Sequence, residues 1–202
     1  MLASNPLSIG LTLAAVLVAT TCHEFAHAFV ADRLGDPTAR HLGRLSLNPL
    51  VHLDLLGTLF FVLFGFGWAK PVPVNARNFA DPRRDMLQVA LAGPLANVTV
   101  AFLLGTVVKA WIQPSGTLLG ELISLVVWIN VILAVFNLIP IPPLDGSRIV
   151  ESLLPGPQAS AFSRLQPYGM LLLLGLLYTG IVSRVMLPAA RWLYGLSTGG
   201  PV

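Results

Sequence analysis

The chain has 202 residues, of which 55% are hydrophobic and only 10% charged, too little polar material to cover a soluble domain. Such a composition belongs in a bilayer, and at roughly 20 apolar residues per crossing the length admits a small bundle of spans and no separate soluble domain. Twelve Lys and Arg against nine acids give a formal charge of +3, scattered without a basic run, which argues against nucleic-acid binding. Cys22 is the single cysteine, so an intrachain disulfide and a Cys-rich metal site are both excluded.

Residues 1–22, 86–108, 122–144 and 165–183 contain no Asp, Glu, Lys or Arg and predict four crossing helices. The first runs from about residue 7 to about residue 31. It lacks the basic start of a signal peptide and leads straight into His23 and Glu24, so it is read as structure. Residues 55–69 are also uncharged but too few for a span, and they hold Gly57, Gly65 and Gly67, which predicts a re-entrant segment. Arg33, Arg40 and Arg44 precede it and Lys70, Arg77, Arg83 and Arg84 follow it, so both flanks read as cytoplasmic.

In WAKPVPVNARNF, residues 68–79, prolines alternate with Val72 and Val74, a pattern that predicts a short edge strand and a small β element. The second long helix, about residues 86–108, then runs outward, and the third, about residues 121–138, returns. LLPGPQASAF, residues 153–162, reads as a flexible connection. Arg184 and Arg191 fit the charge rule poorly, so the C-terminal topology stays open. The expected fold is an all-α polytopic bundle of about four to six transmembrane helices with a short re-entrant segment and a small β element.

His23-Glu24-Phe25-Ala26-His27 is an H-E-x-x-H motif; on a helix its histidines, four apart, project from one face and can share a metal ion. A catalytic zinc takes three protein ligands and leaves a position for water, whose pKa falls to about 7, and the neighbouring carboxylate of Glu24 can take the proton. Ionisable residues inside a membrane segment are costly to bury and mark functional sites. For the third ligand the candidate is Asp145 in NLIPIPPLDG, residues 137–146, where Pro140, Pro142 and Pro143 end helical pairing and present the carboxylate on irregular backbone. Local sequence alone fits an ordinary turn aspartate as well; the histidines at similar expected depth tip the balance.

Through HEFAH, through GPLAN at residues 93–97 and through NLIPIPPLDG, the chain resembles the site-2 protease family of intramembrane metalloproteases. The likeness to its smaller prokaryotic members extends to GRLSLNPLVHLDLLGTL, residues 43–59, and to WAKPVPVN, residues 68–75. It implies one zinc ion per chain on His23, His27 and Asp145, with Glu24 as catalytic acid and base and Asn137 as a polar residue near the metal. Asn137 would steady the substrate carbonyl or oxyanion; hydrogen bonding to frayed carbonyls ahead of Pro140 explains it equally. Asn97 and Asn130 are weaker candidates of the same kind, and Gly93 and Pro94 read as allowing close helix approach or a bend.

His41 and His52 are assigned to loop hydrogen bonds, and Cys22 to packing. The resemblance further implies a single integral-membrane metalloprotease domain over residues 1–202, with a catalytic core at about 7–150 and a C-terminal membrane segment at about 165–196. It lacks the leading extra span and the PDZ-like insertion of longer members. Expected partners are the lipid bilayer and membrane proteins cut at a transmembrane helix, met by residues 55–69 and by the PVPV edge, since a helical substrate must unwind to be cut. The location implied is the prokaryotic plasma membrane, with the site toward the cytoplasm. The competing reading is a catalytically silent metal-binding membrane protein with a regulatory or transport role; intact Glu24 and the scarcity of other acids and histidines in the spans argue against it.

Overall fold

The computed structural model describes residues 6–64, 67–107, 109–110 and 117–200. Pro6 opens the longest helix, α1 (Pro6–Arg33), where its fixed φ and missing N–H suit a first turn. The helix stops at Gly35, whose φ of 105° suits only glycine. Asp36 N–H closes on Ala31 O at 2.9 Å and Gly35 N–H on Asp32 O at 3.3 Å, a Schellman ending that satisfies the last carbonyls. After the short α2 (Thr38–His41) and α3 (Leu55–Phe64) comes α4 (Pro82–Val107), capped by Asp81, whose carboxylate accepts the N–H groups of Arg83 and Arg84.

Thr117 caps α5 (Leu118–Asn137) through Oγ1 and Gly120 N–H at 3.2 Å. There follow α6 (Asp145–Leu153), α7 (Gly156–Ser163), α8 (Gly169–Tyr178) and α9 (Ile181–Thr198). Helices α1, α4 and α5 pack against one another, and α9 closes on α4 and α5. Small and β-branched residues permit that closure: Ala101, Val127, Val131 and Ala190 are fully buried together, and Trp128 meets Tyr194 edge to face.

Three helices are long and apolar enough to cross a membrane, spanning Leu7–Arg33, Pro82–Val107 and Leu118–Asn137. The two longer ones measure about 40 Å at the usual rise, ample for a hydrocarbon core of about 30 Å. Large apolar side chains such as Leu95, Leu103, Leu119 and Leu171 lie on the outside of the bundle, as a lipid-facing surface requires. The expected fourth span is not straight. Gly156–Tyr178 and Ile181–Thr198 meet at 78° across a break at Gly180, in the left-handed region at φ 72°, so among the described residues three helices qualify as spans, or four if the bent pair counts as one.

Among the described residues there is no strand, so the expected small β element is corrected to extended, unpaired chain. The physical reason lies in the prolines. Pro71 and Pro73 have no N–H, and the donor between them, Val72 N–H, is taken by a side chain and not by a ladder.

The excursion over residues 55–69 does leave and return to one place. Lys70 N–H bonds His52 O at 2.9 Å, and a Cβ on Gly57 would lie 2.0 Å from Trp68 O, so the arms touch backbone to backbone. With α3 only 10 residues long, about 15 Å, this segment is too short to cross. Gly65, one of the glycines expected to shape it, and Val108, the expected end of the second long helix, lie outside the described residues.

Candidate metal centre

The last turns of α1 carry His23 and His27, both buried, and their Nε2 atoms lie 3.0 Å apart. Asp145, the first residue of α6, brings Oδ2 to 3.0 Å from His23 Nε2 and 3.2 Å from His27 Nε2. Its placement follows from the loop before it. Pro140, Pro142 and Pro143 prevent α5 from continuing, and Gly146 lets the chain fold back so closely that a Cβ there would lie 2.3 Å from Leu138 O. Residues of α1 and α6, which four helices separate along the chain, thus meet.

These three atoms form a triangle with edges of 3.0 to 3.2 Å. Tetrahedral zinc with ligand bonds of about 2.0 to 2.1 Å needs edges of about 3.3 Å, so the donor set fits that ion with little adjustment. His27 Nδ1 lies 2.7 Å from Val89 O, which only accepts, so Nδ1 carries the proton and the neutral ring offers Nε2 as a bare lone pair. His23, His27 and Asp145 are the group among the described residues whose atoms converge in this way.

Helix α4 closes the site from the side, and Gly93 makes this possible. A Cβ there would fall 2.4 Å from His27 Nε2 and 2.6 Å from His23 Nε2, in the space the imidazoles and an ion need. One turn further along α4, Asn97 Oδ1 lies 2.6 Å from His23 Nδ1. Glu24 points elsewhere on α1, and its Oε2 accepts Val72 N–H at 2.9 Å.

The extended segment bearing Val72 is tied at both ends. Lys70 O accepts Arg44 Nη2, and Asn75 N–H donates to Asp36 Oδ2 at 2.7 Å. Burial would raise the Asp36 carboxyl, but hydrogen bonds from Thr38, Asn75 and Asn78 outweigh it and keep it below its ordinary value. The Val72 side chain packs with Ala28 and Ala39, so this segment is a seated strap and its N–H is already committed.

Asn137 closes α5, and its Nδ2 donates to Leu133 O at 3.0 Å, one turn back along its own helix. His52 is buried away from the three ligands, with Nε2 bonding Ser46 O, and His41 is exposed. Cys22 is a free, half-buried thiol. Sequence reasoning missed the Val72 N–H altogether, and ranked Asn97 and Asn130 below Asn137. A signal was present for Val72, since a proline on either side leaves it the lone donor.

The model of peptidase family M50 matches residues 112–176. YwhC of Bacillus subtilis (strain 168), named as a zinc metalloprotease, is 41% identical over 180 residues, 86% of this chain and 82% of that protein. Rip2 of Mycolicibacterium smegmatis, named likewise, is 32% identical over 192 residues, 93% of this chain and 74% of that protein. No solved structure matches the chain. The chain therefore belongs to peptidase family M50, the site-2 proteases. It is an intramembrane zinc metalloprotease, a class its apolar helices and its His/Asp group suit.

Proposed function

We propose that His23, His27 and Asp145 hold one zinc ion per chain and that Glu24 serves beside them as general base and then general acid. The substrates are membrane proteins, cut within or near a transmembrane segment from the cytoplasmic side of the cell membrane. The observation that carries this reading is the convergence of two Nε2 atoms and one Oδ2 within 3.2 Å of one another at the end of an apolar helix. The whole chain acts as one membrane domain, with its catalytic core at about residues 7–150.

When bound, zinc supplies Lewis acidity that acidifies water and polarises a carbonyl. The chain's own residues do the rest. Val72 N–H holds one carboxylate oxygen of Glu24, which leaves the other to take the water's proton and deliver it to the departing amine. Val89 O fixes the His27 ring, and burial of both imidazoles limits competing solvent. A peptide bond inside a helix is shielded by its own hydrogen bonds, so a substrate must be locally unwound to present its carbonyl. Arg33, Arg40, Arg44, Lys70, Arg77, Arg83 and Arg84 flank the excursion next to this site, which supports the cytoplasmic assignment.

Wild type and variants purified in detergent test the roles, with zinc content measured alongside cleavage of a single-pass substrate. Glu24→Gln is expected to keep one zinc per chain and to lose at least about 100-fold in rate. His23→Ala and Asp145→Ala are expected to lose zinc and cleavage together. Equal product from wild type and Glu24→Gln would end the reading of Glu24, and full zinc in both ligand variants would end that of the metal site.

A further inference from the structure

Two asparagines in the middle of the membrane bundle are fully buried, Asn97 on α4 and Asn130 on α5. An amide in such surroundings needs its hydrogen bonds satisfied by protein. Asn97 Nδ2 donates to Ala19 O at 3.0 Å and to Asn130 Oδ1 at 2.8 Å, and Asn130 Nδ2 donates to Val126 O at 2.8 Å. Asn97 Oδ1 then faces His23 Nδ1 at 2.6 Å.

The direction of this chain is dictated by its ends. Ala19 O and Val126 O are backbone carbonyls and can only accept. Turning the Asn130 amide over would set its oxygen against Val126 O and its NH2 against that of Asn97. Turning Asn97 over would set oxygen against Ala19 O and against Asn130 Oδ1. Each flip sets an oxygen against a backbone carbonyl oxygen, so Asn97 must offer its oxygen to His23, and His23 Nδ1 must carry the hydrogen. In the neutral ring the lone pair is then on Nε2, the atom that faces Asp145 and His27.

The geometry points to Asn97 and Asn130 as positioning residues of the metal site: Asn130 orients the Asn97 amide, and Asn97 fixes the His23 tautomer and ring plane so that Nε2 is always ready to ligate. This rests on the reading of His23 as a zinc ligand. It gives the two rings different supports, since His27 leans on a backbone carbonyl, Val89 O, and His23 on a side chain that substitution can remove.

The test measures zinc affinity by chelator competition, and the ring nitrogen chemical shifts of His23 in metal-free protein, each in detergent. Asn97→Ala is expected to weaken zinc binding by about 10- to 100-fold and to move His23 away from the Nδ1–H form. Asn130→Ala is expected to weaken it less, and to add nothing further in the Asn97→Ala background. Asn130→Asp, whose burial favours the protonated form, keeps an acceptor for Asn97 and a donor for Val126 O, and is expected to bind zinc more tightly than Asn130→Ala.

Unchanged tautomer with zinc affinity within twofold of wild type in Asn97→Ala would overturn the proposal. Should Asn97→Ala fail to fold, equal zinc affinity in Asn130→Ala and Asn130→Asp would overturn it instead. Failure of the underlying metal assignment is distinguishable, because wild type itself would then bind no zinc.

Discussion

The backbone N–H of Val72 donates to Oε2 of Glu24 at 2.9 Å, joining the strap over residues 70–75 to the acidic residue of the H-E-x-x-H motif. Prolines at 71 and 73 make it the sole backbone donor between Lys70 and Val74. The segment that reads as an open sheet edge in sequence instead gives its one free donor to the Glu24 carboxylate.

Val72→Pro removes that hydrogen and also the side chain that packs with Ala28 and Ala39, a loss that Val72→Ala largely shares, while the position before Pro73 already favours extended geometry. A hydrogen bond to a charged group is worth about 1.5 to 3 kcal/mol. The expected result is a fall in kcat of about tenfold to a hundredfold with zinc retained. Val72→Ala, which keeps the N–H, is expected to cut at close to the wild-type rate, and equal rates for the two variants would show that the contact does not position Glu24.

Gly93→Ala puts a methyl group 2.4 Å from His27 Nε2, and overpacking of this kind costs about 1 to 3 kcal/mol. Zinc affinity is expected to drop by about tenfold or more. Gly105→Ala, whose methyl would meet Ser197 O at 2.4 Å far along the same helix, is expected to lower thermal stability and leave zinc affinity alone. Equal zinc loss in both would assign the effect to helix packing in general.

Asp36 yields a pH dependence with a definite sign. Its folded carboxyl titrates below the ordinary value of 3.8, so the unfolded chain takes up a proton first as the solution is acidified. The stabilisation from Asp36 is thus complete at neutral pH, begins to erode as pH approaches 3.8, and vanishes once pH passes below the folded value. Thermal unfolding of wild type and Asp36→Asn between pH 7 and 3 reads this directly: a gap at neutral pH that narrows below about pH 4 is expected. A gap constant across that range would show that the strap's anchor does not depend on the charge.

Much of this was legible because it is written in local chemistry. Charge-free runs marked α1, α4 and α5 to within a few residues, since the bilayer forbids charges over that length. His23 and His27 were legible through their spacing, and Asp145 through the prolines that end α5. What stayed hidden depends on partners distant in sequence. Val72 and Val74 have strand-like character, but nothing local says that Glu24 will claim the Val72 N–H before another strand can.

Asn137 stands in a motif and drew attention for it, whereas the amides of Asn97 and Asn130 acquire meaning only when α4 and α5 are set side by side. Likewise the run over residues 165–183 is apolar enough for a span, and the left-handed turn at Gly180 that breaks it is not evident from hydropathy.

The triangle of His23, His27 and Asp145 joins the first helix to the sixth across most of the chain's length. An ion seated there would act as a rivet as well as a reagent, since ligation that favours the folded chain stabilises it against opening. Stripping the metal should therefore loosen the hold on α6 and lower the melting temperature along with the activity, so that handling in chelators ages the enzyme's architecture and not merely its turnover.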